Sequence, residues 1–162
     1  MQKYVGPCDV LPYPDQHFNL VTANMVVEHV EHPEVFFGEV SRVLSDGGRL
    51  LLHTPNIMYL PIFLASIMPT KFVRSIAKRA DGREDEEIFR TYYRVNSRRA
   101  LQNLPGFRPV EIRCVETGPV LAKIPVANWA ESALIRLGRR AAFEDLRADW
   151  IALLEKIPGS PR

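Results

Sequence analysis

FNLVTANMVVEHVEHPEVFFGEVSRVLSDGGRLLLHTPN, residues 18–56, is the stretch whose reading decides the fold. Phe18 to Ala23 is short, apolar and β-branched in part, which suits a buried strand. Asn24 and the adjacent Glu28 and His29 fall just past its C-terminal end. Pro33 suits the first position of a helix. From there Val35, Phe36, Glu39, Val40, Val43 and Leu44 follow an amphipathic helical spacing. Asp46-Gly47-Gly48 is expected to stop that helix near residue 45. Arg49 to His53 is a second buried-strand candidate, ended by Thr54-Pro55-Asn56. Strand, helix, strand is a βαβ unit, so residues 18–23 and 49–53 are expected to be adjacent and parallel, joined by a right-handed crossover.

Outward from that unit the chain is less regular. Ile57 to Arg79 is apolar with a basic C-terminal half and reads as one or two short helices broken by Pro69. Asp81 to Glu87 reads as a charged loop or a helix start. Asn96 or Ser97 can cap a helix running to Leu104, stopped by Pro105-Gly106. Val110 to Val115 alternates and reads as a strand. Ala127 to Arg140 fits a helix with Trp129, Ala133, Ile135 and Leu137 on or near one face. Asp149 to Glu155 is ambiguous between strand and helix, because a short apolar run fits both.

The chain has 162 residues, 46% apolar and 25% charged, enough for one domain with a real core. That composition argues against a disordered tail, a collagen-like chain or a disulfide scaffold. The net charge of +2 and isoelectric point of about 8.6 are too mild to imply nucleic acid. The charge is uneven: residues 1–60 carry 3 Lys and Arg against 7 Asp and Glu, and residues 61–162 carry 18 against 12. Cys8 and Cys114 form no CxxC pattern, so a reducing, cytoplasmic setting is expected. No leader is expected from the first residues, and no run of about 18 apolar residues occurs to span a membrane.

Four segments carry a resemblance. CDVLPYPDQHFNLV, MVVEHVEHP, FFGEVSRVLSDGGRLLLHTPN and FRTYYRVNSRRALQNLPGF, in order and at family-like spacing, resemble the C-terminal half of the class I S-adenosylmethionine-dependent methyltransferase domain. The resemblance covers roughly residues 8–116. It implies a partial Rossmann-like α/β fold, with a mostly parallel sheet and an antiparallel last strand at Asp149 to Glu155. It also implies a single incomplete domain over 1–162, with 57–95 as a lid or substrate-side insertion. S-adenosylmethionine is the implied cofactor. The implied reaction is methyl transfer to an oxygen or nitrogen of a small-molecule, saccharide or lipid-linked substrate. One departure stands out: no Gly-x-Gly precedes Asp9, although such a loop lets the backbone approach the cofactor. The chain is therefore expected to be a fragment, a truncated product or a degenerate paralogue, binding the cofactor weakly or not at all. The alternative is a non-catalytic subunit or regulator.

Residue by residue, the resemblance implies that Asp9 accepts from the adenine amine, a pure donor, while the Val10 backbone meets the ring edge. Asn24 and Met25 are cofactor-side candidates, because ligands of open α/β sheets bind at the carboxyl edge of the strands. Glu28 and His29 form the "EH" of a related E-x-x-E-H pattern associated with a divalent metal. Met25 stands at its first position, so one carboxylate is missing and no metal is expected. His29 is the candidate general base; its plainer role, with Glu28, is to orient the loop. Glu28, His53, Asn56, Tyr93 and Arg94 are substrate-side candidates, with Tyr92 and Asn96 in the same motif. Residues 57–83 carry apolar bulk and then Lys71, Arg74, Lys78, Arg79 and Arg83. They suit contact with a lipid-linked substrate or an anionic bilayer, or simply a packed lid helix with a solvated basic face. Because the first strand of the pattern is absent, the outer edge of 18–23 is expected to be open, inviting self-association or a partner chain.

Overall fold

The computed structural model describes residues 9–69, 72, 90–119, 121 and 125–159. In chain order the elements are β1 (Phe18–Asn24), α1 (Pro33–Val43), β2 (Leu44–Pro55), α2 (Leu60–Ile67), α3 (Arg98–Gln102), β3 (Phe107–Val115), α4 (Pro125–Gly138) and β4 (Asp149–Lys156). Short 3-10 turns lie at Val27–His29 and Ala141–Leu146. The strands form one sheet in the order β1-β2-β4-β3. β1 and β2 are parallel, joined through α1, with Leu20 opposite Arg49 and Asn24 opposite His53. β4 runs antiparallel to β2 on one side and to β3 on the other. Three strands therefore share one direction and the last strand in the chain opposes them. The ambiguous segment at 149–155 is thus a strand, placed by two neighbours.

One face of the sheet carries the core. Leu50 and Leu52 of β2 and Trp150, Ala152 and Leu154 of β4 pack with Phe36, Phe37 and Val40 of α1 and Leu101 of α3. Phe37 sits edge-on between Phe36 and Phe107, with ring centroids 5.0 and 6.3 Å away. The period of two is visible in β2, where Arg49 and Leu51 are exposed while Leu50 and Leu52 are buried. β1 departs from the expected buried strand. Of its residues only Ala23 is buried, and Leu20 is 54% exposed. The reason is positional: among the described residues β1 pairs with β2 alone.

α1 ends at Val43, two residues earlier than expected, and the glycines lie inside β2. The incoming loop explains this. Gln16 N and His17 N donate to the Arg42 and Val43 carbonyls, both at 2.8 Å, which satisfies groups a helix end leaves open. The chain then turns straight into β2, and the surplus residues before Arg49 bulge between the Phe18–Leu44 and Leu20–Arg49 pairs. Gly47 takes φ +73°, and a Cβ on Gly48 would lie 2.8 Å from the Ser45 carbonyl. Both positions therefore require glycine.

Ser97 caps α3, its Oγ accepting from Ala100 N at 3.3 Å; the helix ends at Gln102 rather than Leu104. β3 begins at Phe107, earlier than expected. On α4 the expected apolar face is corrected. Trp129 is exposed, whereas Glu131 is buried and accepts from Tyr59 Oη at 2.7 Å and Leu121 N at 2.8 Å. Of the 57–79 region, α2 is the described helix. The Asp81 to Glu87 segment and the basic residues from Lys71 to Arg83 lie outside the described residues.

Candidate functional site

The carboxyl ends of β1 and β2 lie side by side, and two groups of predicted residues meet there. The first is Asn24, Met25 and His53. His53 Nδ1 lies 2.6 Å from Asn24 Oδ1. An amide oxygen only accepts, so Nδ1 carries the proton. Nε2 is left facing Asp149 Oδ2 at 3.7 Å and is itself buried without a hydrogen bond. Asp149 in turn accepts from the Thr117 hydroxyl. Met25 follows with φ +53°, its N donating to the His53 carbonyl at 2.8 Å. The sheet thus ends on a left-handed residue that turns the chain sharply, with Asn24 and Met25 exposed.

The second group is Glu28, His29 and the segment 90–93. The Glu28 carbonyl accepts from Tyr92 N at 2.7 Å and Tyr93 N at 3.3 Å. His29 Nδ1 donates to the Arg90 carbonyl at 2.8 Å, which leaves Nε2 as the basic nitrogen, 3.9 Å from Glu28 Oε1. The His29 side chain is 34% exposed, so it stays within reach of solvent. Tyr92 Oη donates to Glu31 Oε2 at 2.7 Å. That bond, more than burial, pushes its phenol up. Tyr93 sits at φ +51°, and burial pushes its phenol up. Arg94 is exposed beside it.

Two predicted substrate-side residues point elsewhere. Glu28 is buried and accepts from Thr54 Oγ1 at 3.2 Å. Thr54 is held by Asn96 Nδ2 at 2.6 Å, so Glu28 anchors the turn from within. Asn56 has no exposed surface. Its Nδ2 donates to the Asp145 and Arg147 carbonyls at 2.7 and 2.8 Å, and its Oδ1 accepts from Met58 N at 2.9 Å. Asn56 therefore pins the 145–147 backbone to the end of β2.

Sequence reasoning missed two features. The Tyr59–Glu131 pair gave no local signal, because its partners lie 72 residues apart. Glu39 and Arg42 were visible at i,i+3 spacing, but the loop they hold was not. Among the described residues no group of three or more His, Cys, Asp or Glu is placed to hold a metal ion.

The chemistry of the cofactor-side candidates is of the kind an adenine would meet. Asp9 is an exposed acceptor, and Val10 and Met25 offer exposed apolar surface for a ring. Residues 2–52 match the family described as "Methyltransferase domain". A comparison with curated proteins finds no match. Among solved structures, the chain is similar to the Haloferax volcanii methyltransferase seen in complex with the Trm112 methyltransferase activator (TM-score 0.55, 16% identity, 98% of this chain and 62% of that one). It is also similar to an S-adenosylmethionine-dependent methyltransferase of Methanosarcina mazei (TM-score 0.53, 16% identity, 95% and 66%). A Bacillus halodurans methyltransferase gives TM-score 0.50 at 18% identity, over 94% and 70%. At such identities the likeness speaks for the fold, and this chain spans between 62% and 70% of the three proteins' length. Residues 2–52 thus match the methyltransferase-domain family, and the chain as a whole shares the fold of these solved methyltransferase structures.

Proposed function

We propose that this chain forms the acceptor side of a methyl-transfer site, with His29 as the group that takes the acceptor's proton. The observation that carries this is the place and tautomer of His29: it follows the carboxyl end of β1, and its Nδ1 donates to the Arg90 carbonyl at 2.8 Å, which makes Nε2 the ring nitrogen that can accept a proton. When bound, S-adenosylmethionine supplies an electrophilic methyl group on sulfur. Asp9, Val10, Asn24 and Met25 would hold its adenine end and neighbouring atoms. His29 Nε2 would remove the proton from an acceptor oxygen or nitrogen, and holding that acceptor in line would supply most of the rate. Tyr93, Arg94 and His53 line the acceptor side, and residues 57–95 act as the lid. The acceptor is a small molecule, a saccharide or a lipid-linked compound, and a cytoplasmic setting suits the buried thiol of Cys114.

The test is calorimetric titration with S-adenosylmethionine, then methyl transfer to an acceptor panel by the wild type and His29→Asn. Transfer that His29→Asn leaves unchanged overturns the base assignment. Complete absence of binding favours the alternative, a non-catalytic methyltransferase-like subunit or regulator. A partner chain or second copy over the edge of β1 that no described strand pairs suits either reading, and one neighbour of this fold is seen with an activator.

A second reading rests on α2. Leu60, Phe63 and Leu64 are each 45% exposed and Ile67 is 65% exposed, at the i, i+3, i+4, i+7 spacing of one helix face. The four basic residues from Lys71 to Arg79 follow in sequence with no acid among them. That pattern suits peripheral contact with an anionic bilayer. No described helix is long and apolar enough to cross a membrane. Co-sedimentation with anionic vesicles, lost in Phe63→Glu, supports this reading; equal recovery with and without vesicles removes it.

A further inference from the structure

We propose that Glu39 and Arg42 of α1 are positioning residues that latch the 9–15 segment, and that this latch governs the affinity of the site for an adenine-bearing ligand. The inference rests on the adenine-side reading of Asp9 and Val10. Its physical basis is the number of bonds at one guanidinium. Arg42 Nε donates to Glu39 Oε2 at 2.8 Å, and Nη2 donates to Glu39 Oε1 at 2.6 Å and the Leu11 carbonyl at 3.0 Å. Nη1 donates to the Tyr13 carbonyl and to Asp15 Oδ1, both at 2.8 Å. A guanidinium has five N–H groups, and the five bonds match them one for one. Glu39 Oε1 also accepts from Leu11 N at 2.6 Å. Leu11 is therefore gripped by its N–H and its carbonyl at once, by the two members of one ion pair.

The loop needs such a grip for a local reason. Pro12 and Pro14 lack an N–H, so the segment cannot be held by a backbone ladder along its length. Side chains supply the anchoring instead. Further along, Gln16 N, His17 N and the Ser45 hydroxyl bond to the Gln16 carbonyl and the α1 end complete the attachment. The pair is ionised at neutral pH, as the Arg42 bond holds the Glu39 carboxyl below the usual range. Asp9 and Val10 are exposed immediately before the grip, so where they sit depends on it. A lysine at 42 would keep the charge. Its single ammonium cannot span the Leu11 and Tyr13 carbonyls and Glu39 together.

The test uses the full chain, with S-adenosylhomocysteine as the probe and amide NMR as the readout. In the wild type, millimolar probe should shift the Val10 and Leu11 signals, and Leu11 should exchange its amide proton slowly. In Arg42→Lys, Leu11 exchange should rise and probe affinity fall, each about tenfold. The Leu154 amide in mid-sheet should be unchanged. If Arg42→Lys fails to fold, Glu39→Gln keeps the guanidinium bonds to the carbonyls and should show a smaller loss of the same kind. Unchanged Leu11 exchange overturns the latch. Equal affinity with Leu11 released overturns its role in binding and leaves the adenine-side reading standing. No shift at Val10 in the wild type overturns that reading and the latch's role with it.

Discussion

Replacing Asn56 by alanine should destabilise the chain by about 3 kcal/mol, from three hydrogen bonds at about 1 kcal/mol each. The bonds are those to the Asp145 and Arg147 carbonyls and from Met58 N. The site has no exposed surface, so no solvent replaces the lost amide. The Arg147 carbonyl keeps one weak donor, Cys114 Sγ at 3.5 Å, which sets the figure nearer the sum of net bond energies than the full desolvation cost. For a domain of this size the fall in Tm is about 6–12 °C. Asn56→Asp should be worse at neutral pH, because it turns a carboxylate toward two carbonyl oxygens. Its carboxyl would be raised in the folded state, so stability should return on acidification and be lost as pH rises. Urea melts followed by circular dichroism measure both variants. A loss under about 1 kcal/mol, with methyl transfer abolished, would refute the bracing role and return Asn56 to the substrate side.

Three further outcomes are expected. The Glu39 carboxyl is held low, chiefly by the Arg42 side chain. Its contribution to stability is therefore complete at neutral pH and lost as pH falls below the ordinary value of about 4.3; Glu39→Gln should flatten the acid limb of Tm against pH, and superimposable limbs would count against this. Burial pushes the Cys114 thiol up to about 11, so in a Cys8→Ser background it should resist a thiol reagent at pH 8 until the chain unfolds. Rapid labelling of the folded chain contradicts that assignment. Finally, β1 pairs with β2 alone among the described residues and leaves Leu20 54% exposed. Sedimentation velocity should show self-association that Leu20→Lys weakens, and a monomeric wild type excludes it.

What the sequence alone determined is local. The apolar run of 18–23, the proline at 33, the glycines at 47 and 48 and the serine at 97 each act within a few residues, through φ/ψ limits, capping and side-chain period. They gave the parallel β1–β2 pair, its crossover helix and the cap of α3 to within a few residues. They also placed Asn24, His29 and His53 near the carboxyl edge, because strand ends are legible wherever strands are. The tertiary structure decided the rest. Asp149 to Lys156 is a strand because β2 and β3 offer ladders on both sides, which no periodicity within eight residues could show. Asn56 and Glu28 turned inward because their partners, the Asp145 and Arg147 carbonyls and Thr54, arrive from 26 to 91 residues away. Arg42 meets Glu39 within one turn of its own helix, but the carbonyls of Leu11 and Tyr13 that it also holds arrive from 31 and 29 residues away. A side chain's identity limits which bonds it can make; which of them it does make depends on what the rest of the chain brings within 3 Å.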